Sequence, residues 1–216
     1  MPLQNRVLPD GQIAQAPWRG ALMGNRGCLH QPDNTLGRAR WRHRNWVCCV
    51  TEFRGRKRLP MPPPGSPTVY TALFFWDEAT AFAAGHRPCG ECRNQDYKFF
   101  KSLWSRAGLG ANDAKAMDRA LHDARVPVLK GEHPPQAASI RHLPDGVILR
   151  VGGRLGLLWE GAVLAWQDTG GYGPCIAPGS EDVEVLTPAP VIKIFEAGYR
   201  PFVRLRPEDR FTTAPR

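Results

Sequence analysis

The sequence predicts an α+β protein, made of a small α/β-hairpin module, two following helices and a C-terminal antiparallel β-unit. Three patterns lead to this fold class. Runs of aromatic and β-branched residues before residue 76 are typical of strands. Two segments follow in which apolar residues recur every three or four positions, which is the helical period. Beyond residue 140, short apolar runs are separated by Gly-Gly and Glu-Gly, as in hairpins.

The chain starts with residues 1–17, which are polar and contain proline, and this composition predicts a loose N-terminal arm. The module is predicted over residues 18–107. It opens with a short apolar patch and a turn marked by Gly24, Asn25 and Gly27. Residues 54–67 are basic and then rich in proline, which excludes a central strand there because proline cannot donate to a sheet.

Two strands are predicted inside the module. Residues 45–53, with the sequence NWVCCVTEF, form the first, and residues 69–75 form the second. Cys48 and Cys49 are neighbours on the first strand. Side chains alternate between the two faces of a strand, so these two thiols are expected on opposite faces.

Residues 74–93, FFWDEATAFAAGHRPCGECR, predict a strand end, a short helix, a tight turn and a cysteine pair. Asp77 precedes the alanine-rich run, where its carboxylate can cap the helix. Gly85 stands where a left-handed residue ends a helix. Cys89 and Cys92 then have the C-x-x-C spacing with which two thiolates on one turn bind a zinc ion.

These twenty residues resemble the metal-binding domain of the Ada DNA-repair proteins. The shared pattern is an aromatic strand end and an alanine-rich helix. Ala-Ala-Gly follows, then an aromatic residue or histidine, and then Arg-Pro-Cys-x-x-Cys-Arg. Here the pattern runs from Ala83 to Arg93. The resemblance implies a zinc-bearing, Ada-like module and a link to DNA repair. The Ada pattern also has C-x-x-x-C upstream, where this chain has the adjacent Cys48 and Cys49.

Zinc is therefore the predicted cofactor, and Cys48 and Cys49 are the leading donors to complete the site. Both can ligate only at a bulge or a strand end, and otherwise one of them is a core residue. A cluster of six cysteines in a reducing compartment favours metal over disulfides. The predicted ligands are Cys48, Cys49, Cys89 and Cys92, with His30 and His86, and also Cys28 and His43, in reserve.

The formal net charge of +9 favours a polyanionic partner. Phosphates pair with guanidinium groups and unstacked bases lie on aromatic rings, so arginines interleaved with Trp41 and Trp46 favour nucleic acid. The alternative is a solvated charged face with both tryptophans in the core. The basic segment predicted to contact nucleic acid contains Arg38, Arg40, Trp41, Arg42, Arg44, Arg54, Arg56, Lys57 and Arg58.

After the module, residues 94–106 and 112–124 are predicted as amphipathic helices. The second of them belongs to a helix-and-linker region over residues 108–139. Residues 140–205 are predicted as a small antiparallel β-unit with four strands and a short helix, and residues 206–216 as a tail.

The leading hypothesis is a zinc-binding protein that engages DNA or RNA, in which zinc stabilises a small module. One alternative is a nucleic-acid repair or modification enzyme. It would use a zinc-bound thiolate of Cys48 or Cys49 as an alkyl acceptor, as the Ada resemblance implies. It could also be a zinc-dependent base-modifying enzyme, although Glu78 precedes His86 instead of following it as in zinc deaminases. A protein-interaction scaffold is the second alternative. No apolar run is long enough to span a membrane and no signal-peptide pattern is present, which predicts a cytoplasmic protein.

Overall fold

The computed structural model describes residues 3–57 and 70–205. Arg58, Val69 and the predicted tail lie outside this range. Within it the chain forms four α-helices and fourteen strands, which confirms the α+β class. The helices are α1 Glu78–Ala83, α2 Asn94–Arg106, α3 Ala114–Lys130 and α4 Ala189–Glu196. The strands are β1 Gln4–Val7, β2 Ile13–Gln15, β3 Leu22–Asn25, β4 Val47–Val50, β5 Glu52–Phe53, β6 Arg56–Lys57, β7 Leu73–Phe75, β8 Arg87–Pro88, β9 Gln136–Ser139, β10 Ile148–Val151, β11 Arg154–Trp159, β12 Ala162–Trp166, β13 Tyr172–Cys175 and β14 Asp182–Val185.

Twelve of these strands build two six-stranded sheets. The first sheet is mixed and has the order β2-β1-β7-β3-β4-β8. Its β1–β7 and β4–β8 pairs are parallel, and its other pairs are antiparallel. The second sheet has the order β13-β12-β11-β10-β14-β9 and is antiparallel throughout. The short β5–β6 hairpin stands apart from both.

The N-terminal segment differs from the predicted loose arm. Residues 4–15 contain β1 and β2, which pair with each other, and β1 also pairs with β7. Val7 and Ile13 are buried in the core, which holds this segment in place. The two strands are only four and three residues long, too short to give a recognisable alternating pattern.

The turn predicted at Gly24, Asn25 and Gly27 begins later than expected, because Gly24 and Asn25 belong to β3, while Gly27 follows the strand with φ of 102°. A Cβ atom added to Gly24 would lie 2.4 Å from the carbonyl oxygen of Val47. Glycine is therefore required here for the close approach of β3 to β4, and not for a turn.

The short helix α1 forms as predicted and is buried along its whole length. Asp77 Oδ1 accepts a hydrogen bond from the Thr80 amide over 2.9 Å, and the Thr80 hydroxyl completes a capping box. Gly85 ends the segment in the left-handed region, with φ of 85°. Side chains of α1 pack in the same apolar clusters as Ile148 and Leu149 of the second sheet, so α1 contributes to the core between the sheets.

The helix α2 has the predicted bounds, whereas α3 ends at Lys130 and not at residue 124. The second sheet contains the predicted strands, with Gly152-Gly153 and Glu160-Gly161 in the left-handed turn conformation. It also contains β9, which lies in the predicted linker, and β13, which lies in a glycine-rich stretch. Among the residues described, no helix has both the length and the apolar character needed to cross a bilayer.

A buried ion pair joins α3 to β8. Asp118 accepts two hydrogen bonds from the Arg87 guanidinium, at 2.7 and 2.9 Å, and both side chains are less than a tenth exposed. Removing one partner leaves the other charge buried and unpaired. We therefore expect Asp118→Ala to lower the free energy of unfolding by about 3–5 kcal/mol.

Chemical denaturation of the purified protein measures this loss. Asp123→Ala is the matched control, because Asp123 is on the same helix but its side chain is 60% exposed. The control should change stability by no more than about 0.5 kcal/mol. Equal effects of the two substitutions would show that the buried pair does not anchor β8.

Candidate metal centre

Two short strands bring the cysteine-containing segments together. β4 and β8 pair in parallel at one end of the first sheet, with Val47 opposite Arg87 and Cys48 opposite Pro88. The amide of Cys89 donates to the carbonyl oxygen of Cys48 over 3.0 Å. The C-x-x-C turn therefore begins directly beside β4.

Three sulfur atoms meet at this point. The Sγ atoms of Cys49, Cys89 and Cys92 all lie within 4.8 Å of one another. Cys49 is buried, whereas Cys89 and Cys92 are partly exposed. The group contains three of the four predicted ligands, and it could hold a metal ion.

Cys48 lies outside this group because β4 is a regular strand whose side chains alternate between faces. Its side chain is fully buried in the main apolar core, while Cys49 packs in a separate cluster. Its Sγ accepts a hydrogen bond from Arg93 Nη1 over 2.9 Å. Burial raises the pKa of Cys48 to about 12, so it remains a neutral thiol at neutral pH.

Hydrogen bonds within the group favour a thiolate at Cys89. The Cys49 thiol donates to Cys89, which lowers the pKa of Cys89 to about 5 and raises the pKa of Cys49. The amide of Glu91 lies 3.4 Å from Cys89 Sγ and donates to it. Burial raises the pKa of Cys92. A bound cation would ionise all three, because a coordinating thiol is deprotonated by the metal.

The reserve ligand His86 lies elsewhere, between Phe75 and Trp46, at ring-centroid distances of 4.6 and 5.5 Å. It is fully buried, and this burial lowers its pKa well below the usual value. Glu78 is also buried and accepts a hydrogen bond from the Tyr199 hydroxyl over 2.8 Å. The structure therefore does not bring together the histidine and glutamate that a deaminase-like centre needs beside its cysteines.

The other reserve ligands have different surroundings. His30 Nδ1 lies 3.1 Å from the Thr71 hydroxyl, and His43 Nε2 lies 2.9 Å from Asn25 Oδ1. Cys28 is exposed. All six cysteines and all six histidines of the chain fall within the described residues. Over residues 3–57 and 70–205, no further cysteine, histidine or carboxylate donor joins the three sulfur atoms.

The basic segment precedes β4 and extends past it into the β5–β6 hairpin. Arg38, Arg42 and Arg44 are exposed, as are Arg54 and Lys57 beyond β4. Within the described part of the chain, none of these side chains forms a salt bridge with a carboxylate. No carboxylate of the described residues therefore neutralises the positive charge of these five side chains. Arg40 is half-buried and donates to the carbonyl oxygen of Gly37; Arg58 lies outside the described residues, and the side chain of Arg56 is not described.

The two tryptophans of the segment differ in exposure. Trp46 is 1% exposed and packs against His86, so it is a core residue. Trp41 is half-buried, with its ring centroid 5.9 Å from that of His122 on α3. Lys130 Nζ lies 5.9 Å from the centre of the same ring. Only Trp41 of the pair is therefore accessible to a stacking base.

No protein-family model matches this sequence, and no curated protein or solved structure matches it significantly. The function is therefore inferred from the sulfur group and the basic segment.

The alternation along β4 predicts which cysteines hold metal. Cys49→Ser and Cys89→Ser should each lose a bound metal ion, because each removes one of the three clustered donors. Cys48→Ser should retain it, since that side chain lies on the opposite face. Elemental analysis of each purified, metal-loaded variant gives the metal-to-protein ratio, expected to be about one in the wild type.

Cys175→Ser serves as the control, because Cys175 is exposed and lies on β13 in the second sheet. If Cys48→Ser loses the metal while Cys49→Ser keeps it, the assignment of faces on β4 is wrong.

Proposed function

We propose that this protein binds zinc through Cys49, Cys89 and Cys92 and engages DNA or RNA through its basic segment. The observation that carries the proposal is the proximity of the three sulfur atoms, within 4.8 Å. Sulfur atoms on two corners of a tetrahedral zinc site, each about 2.3 Å from the ion, are about 3.8 Å apart. Small rotations of the three side chains would therefore close the group around one ion.

The proposed role of zinc is to stabilise the edge of the first sheet that β8 forms. β8 contains two residues, and β4 is its single partner among the described strands. A metal ion held by Cys49 on one side and by the C-x-x-C turn on the other would cross-link these two strands. Because such a site does not exist in the unfolded chain, the binding free energy would add directly to the stability of the fold.

The proposed nucleic-acid surface is the basic segment, which leads directly into β4. Its exposed arginines have no carboxylate partner within residues 3–57 and 70–205, so binding a phosphate would break no existing ion pair. Arginine suits this task because its planar fork can donate two hydrogen bonds to one phosphate. Trp41 would add a stacking surface for an unpaired base.

An alkyl-accepting enzyme is the competing proposal, and the thiolate favoured at Cys89 supports it. The acceptors that the Ada resemblance suggests are less suitable. Cys48 is fully buried and Cys49 is 7% exposed, so neither presents its sulfur to a bulky alkylated substrate. A structural zinc site with a separate nucleic-acid surface therefore accounts for more of the geometry.

The salt dependence of binding tests the nucleic-acid proposal. Wild-type affinity for a short DNA or RNA should fall steeply as salt rises, because phosphate contacts release condensed counterions. Replacing Arg38, Arg42 and Arg44 together with alanine should weaken binding. It should also flatten the plot of log affinity against log salt by about three units, roughly one per lost phosphate contact.

A matched triple variant replaces Arg19, Arg141 and Arg154, which are exposed and lie outside the basic segment. It removes the same net charge but should leave the slope nearly unchanged. Equal effects of the two triple variants would indicate attraction by net charge alone. If the wild-type protein binds neither DNA nor RNA at low salt, the nucleic-acid proposal is wrong.

A further inference from the structure

We propose that Met23 supplies a fourth, thioether donor to the metal centre, which would make it a centre of three thiolates and one thioether. The inference rests on the proposed zinc site at Cys49, Cys89 and Cys92, and it deepens that proposal by naming a fourth donor. Three thiolates and one thioether form a soft donor set that accepts zinc and also Cu(I), and Cu(I) is the ion whose binding depends more on the thioether.

The register of the first sheet places Met23 beside the centre. In the antiparallel β3–β4 pair, Met23 lies directly opposite Cys49. Residues directly opposite each other share a face of the sheet, with Cβ atoms about 4.5–5.5 Å apart. Cys48, whose side chain lies on the other face of β4, is opposite Gly24, which has no side chain. Met23 therefore projects to the same side of the sheet as the sulfur atom of Cys49.

Packing agrees with this register. Met23 is 2% exposed and forms a small buried cluster with Cys49 and Ala72. Cys89 and Cys92 pack against that same cluster. Met23 thus packs with all three cysteines and is separate from the main apolar core, which contains Cys48.

The supply of other donors is limited. All cysteines and histidines of the chain are among the described residues, and none besides the three clustered cysteines joins the group. The chain has four methionines, of which Met1 and Met61 lie outside the described residues. Met117 is buried in the main core on α3. Met23 is thus the methionine that the described structure places with the three cysteines.

The chemistry of a thioether gives the proposal a distinctive signature. A thioether is neutral and soft, and it binds Cu(I) in preference to harder divalent ions. Losing it should therefore weaken Cu(I) binding more than Zn²⁺ binding. A methionine that only fills space would affect both ions alike, since its removal would loosen the three cysteines for either metal.

The test compares Met23→Leu with Met117→Leu. Leucine has a similar volume and no sulfur, so both variants are expected to fold. Affinities for Cu(I) and for Zn²⁺ are measured by competition with chromophoric chelators, Cu(I) under anaerobic, reducing conditions. In Met23→Leu the Cu(I) affinity should fall at least about 10-fold. Removing a residue that only supports a metal ligand already lowers metal affinity by about 10-fold or more, and the loss of a ligand should be no smaller. The ratio of Cu(I) to Zn²⁺ affinity should fall with it, while Met117→Leu should leave that ratio at the wild-type value.

Each outcome decides one claim. If Met23→Leu leaves the ratio of the two affinities unchanged, whether or not both affinities drop, then Met23 is a packing residue and this inference is wrong. In that case the three-cysteine centre would still be supported if the wild-type protein binds either ion and Cys89→Ser does not. If the wild-type protein binds neither ion, the proposed metal site itself fails and this inference fails with it.

Discussion

The parallel pairing of β4 with β8 is the constraint on which the candidate site depends. It joins segments that are forty residues apart in the sequence, as the pairing of Val47 with Arg87 and of Cys48 with Pro88 shows. Hydrogen bonds from the amides of Arg87 and Cys89 to the carbonyls of Trp46 and Cys48 fix the register. A slip of one residue would exchange the faces of Cys48 and Cys49, and the three-sulfur group would be lost.

The same region is tied to the rest of the core by Arg93, which directly follows the C-x-x-C pair. Its guanidinium contacts Cys48 Sγ at 2.9 Å and pairs with the buried Glu78 at the start of α1. Glu78 also accepts hydrogen bonds from the Tyr199 hydroxyl and the Phe202 amide, each over 2.8 Å. One buried carboxylate thus links the cysteine turn to the chain that follows α4. The same network gives the Cys48 thiol a hydrogen-bond donor in the core, on the face of β4 opposite to Cys49.

Local signals made part of the fold predictable. The helical period of residues 94–106 gave α2 its bounds, and Asp77 and Gly85 marked the limits of α1 correctly. The C-x-x-C spacing identified two of the three clustered cysteines. The strands β1 and β2 were missed because the hairpin that they form is too short to show an alternating pattern. The strand β9 was missed because its partner β14 is distant in sequence. Met23 was missed for the same reason: only the β3–β4 register places it opposite Cys49, and no local motif records that pairing.

Anomalous diffraction tests the central claim most directly. Crystals of the metal-replete protein would be measured on both sides of the zinc absorption edge, which locates a bound zinc without assumptions about its ligands. We predict one strong peak per chain, about 2.3 Å from each Sγ atom of Cys49, Cys89 and Cys92. The absence of a peak in this group, or a metal bound by Cys48 in place of Cys49, would contradict the account.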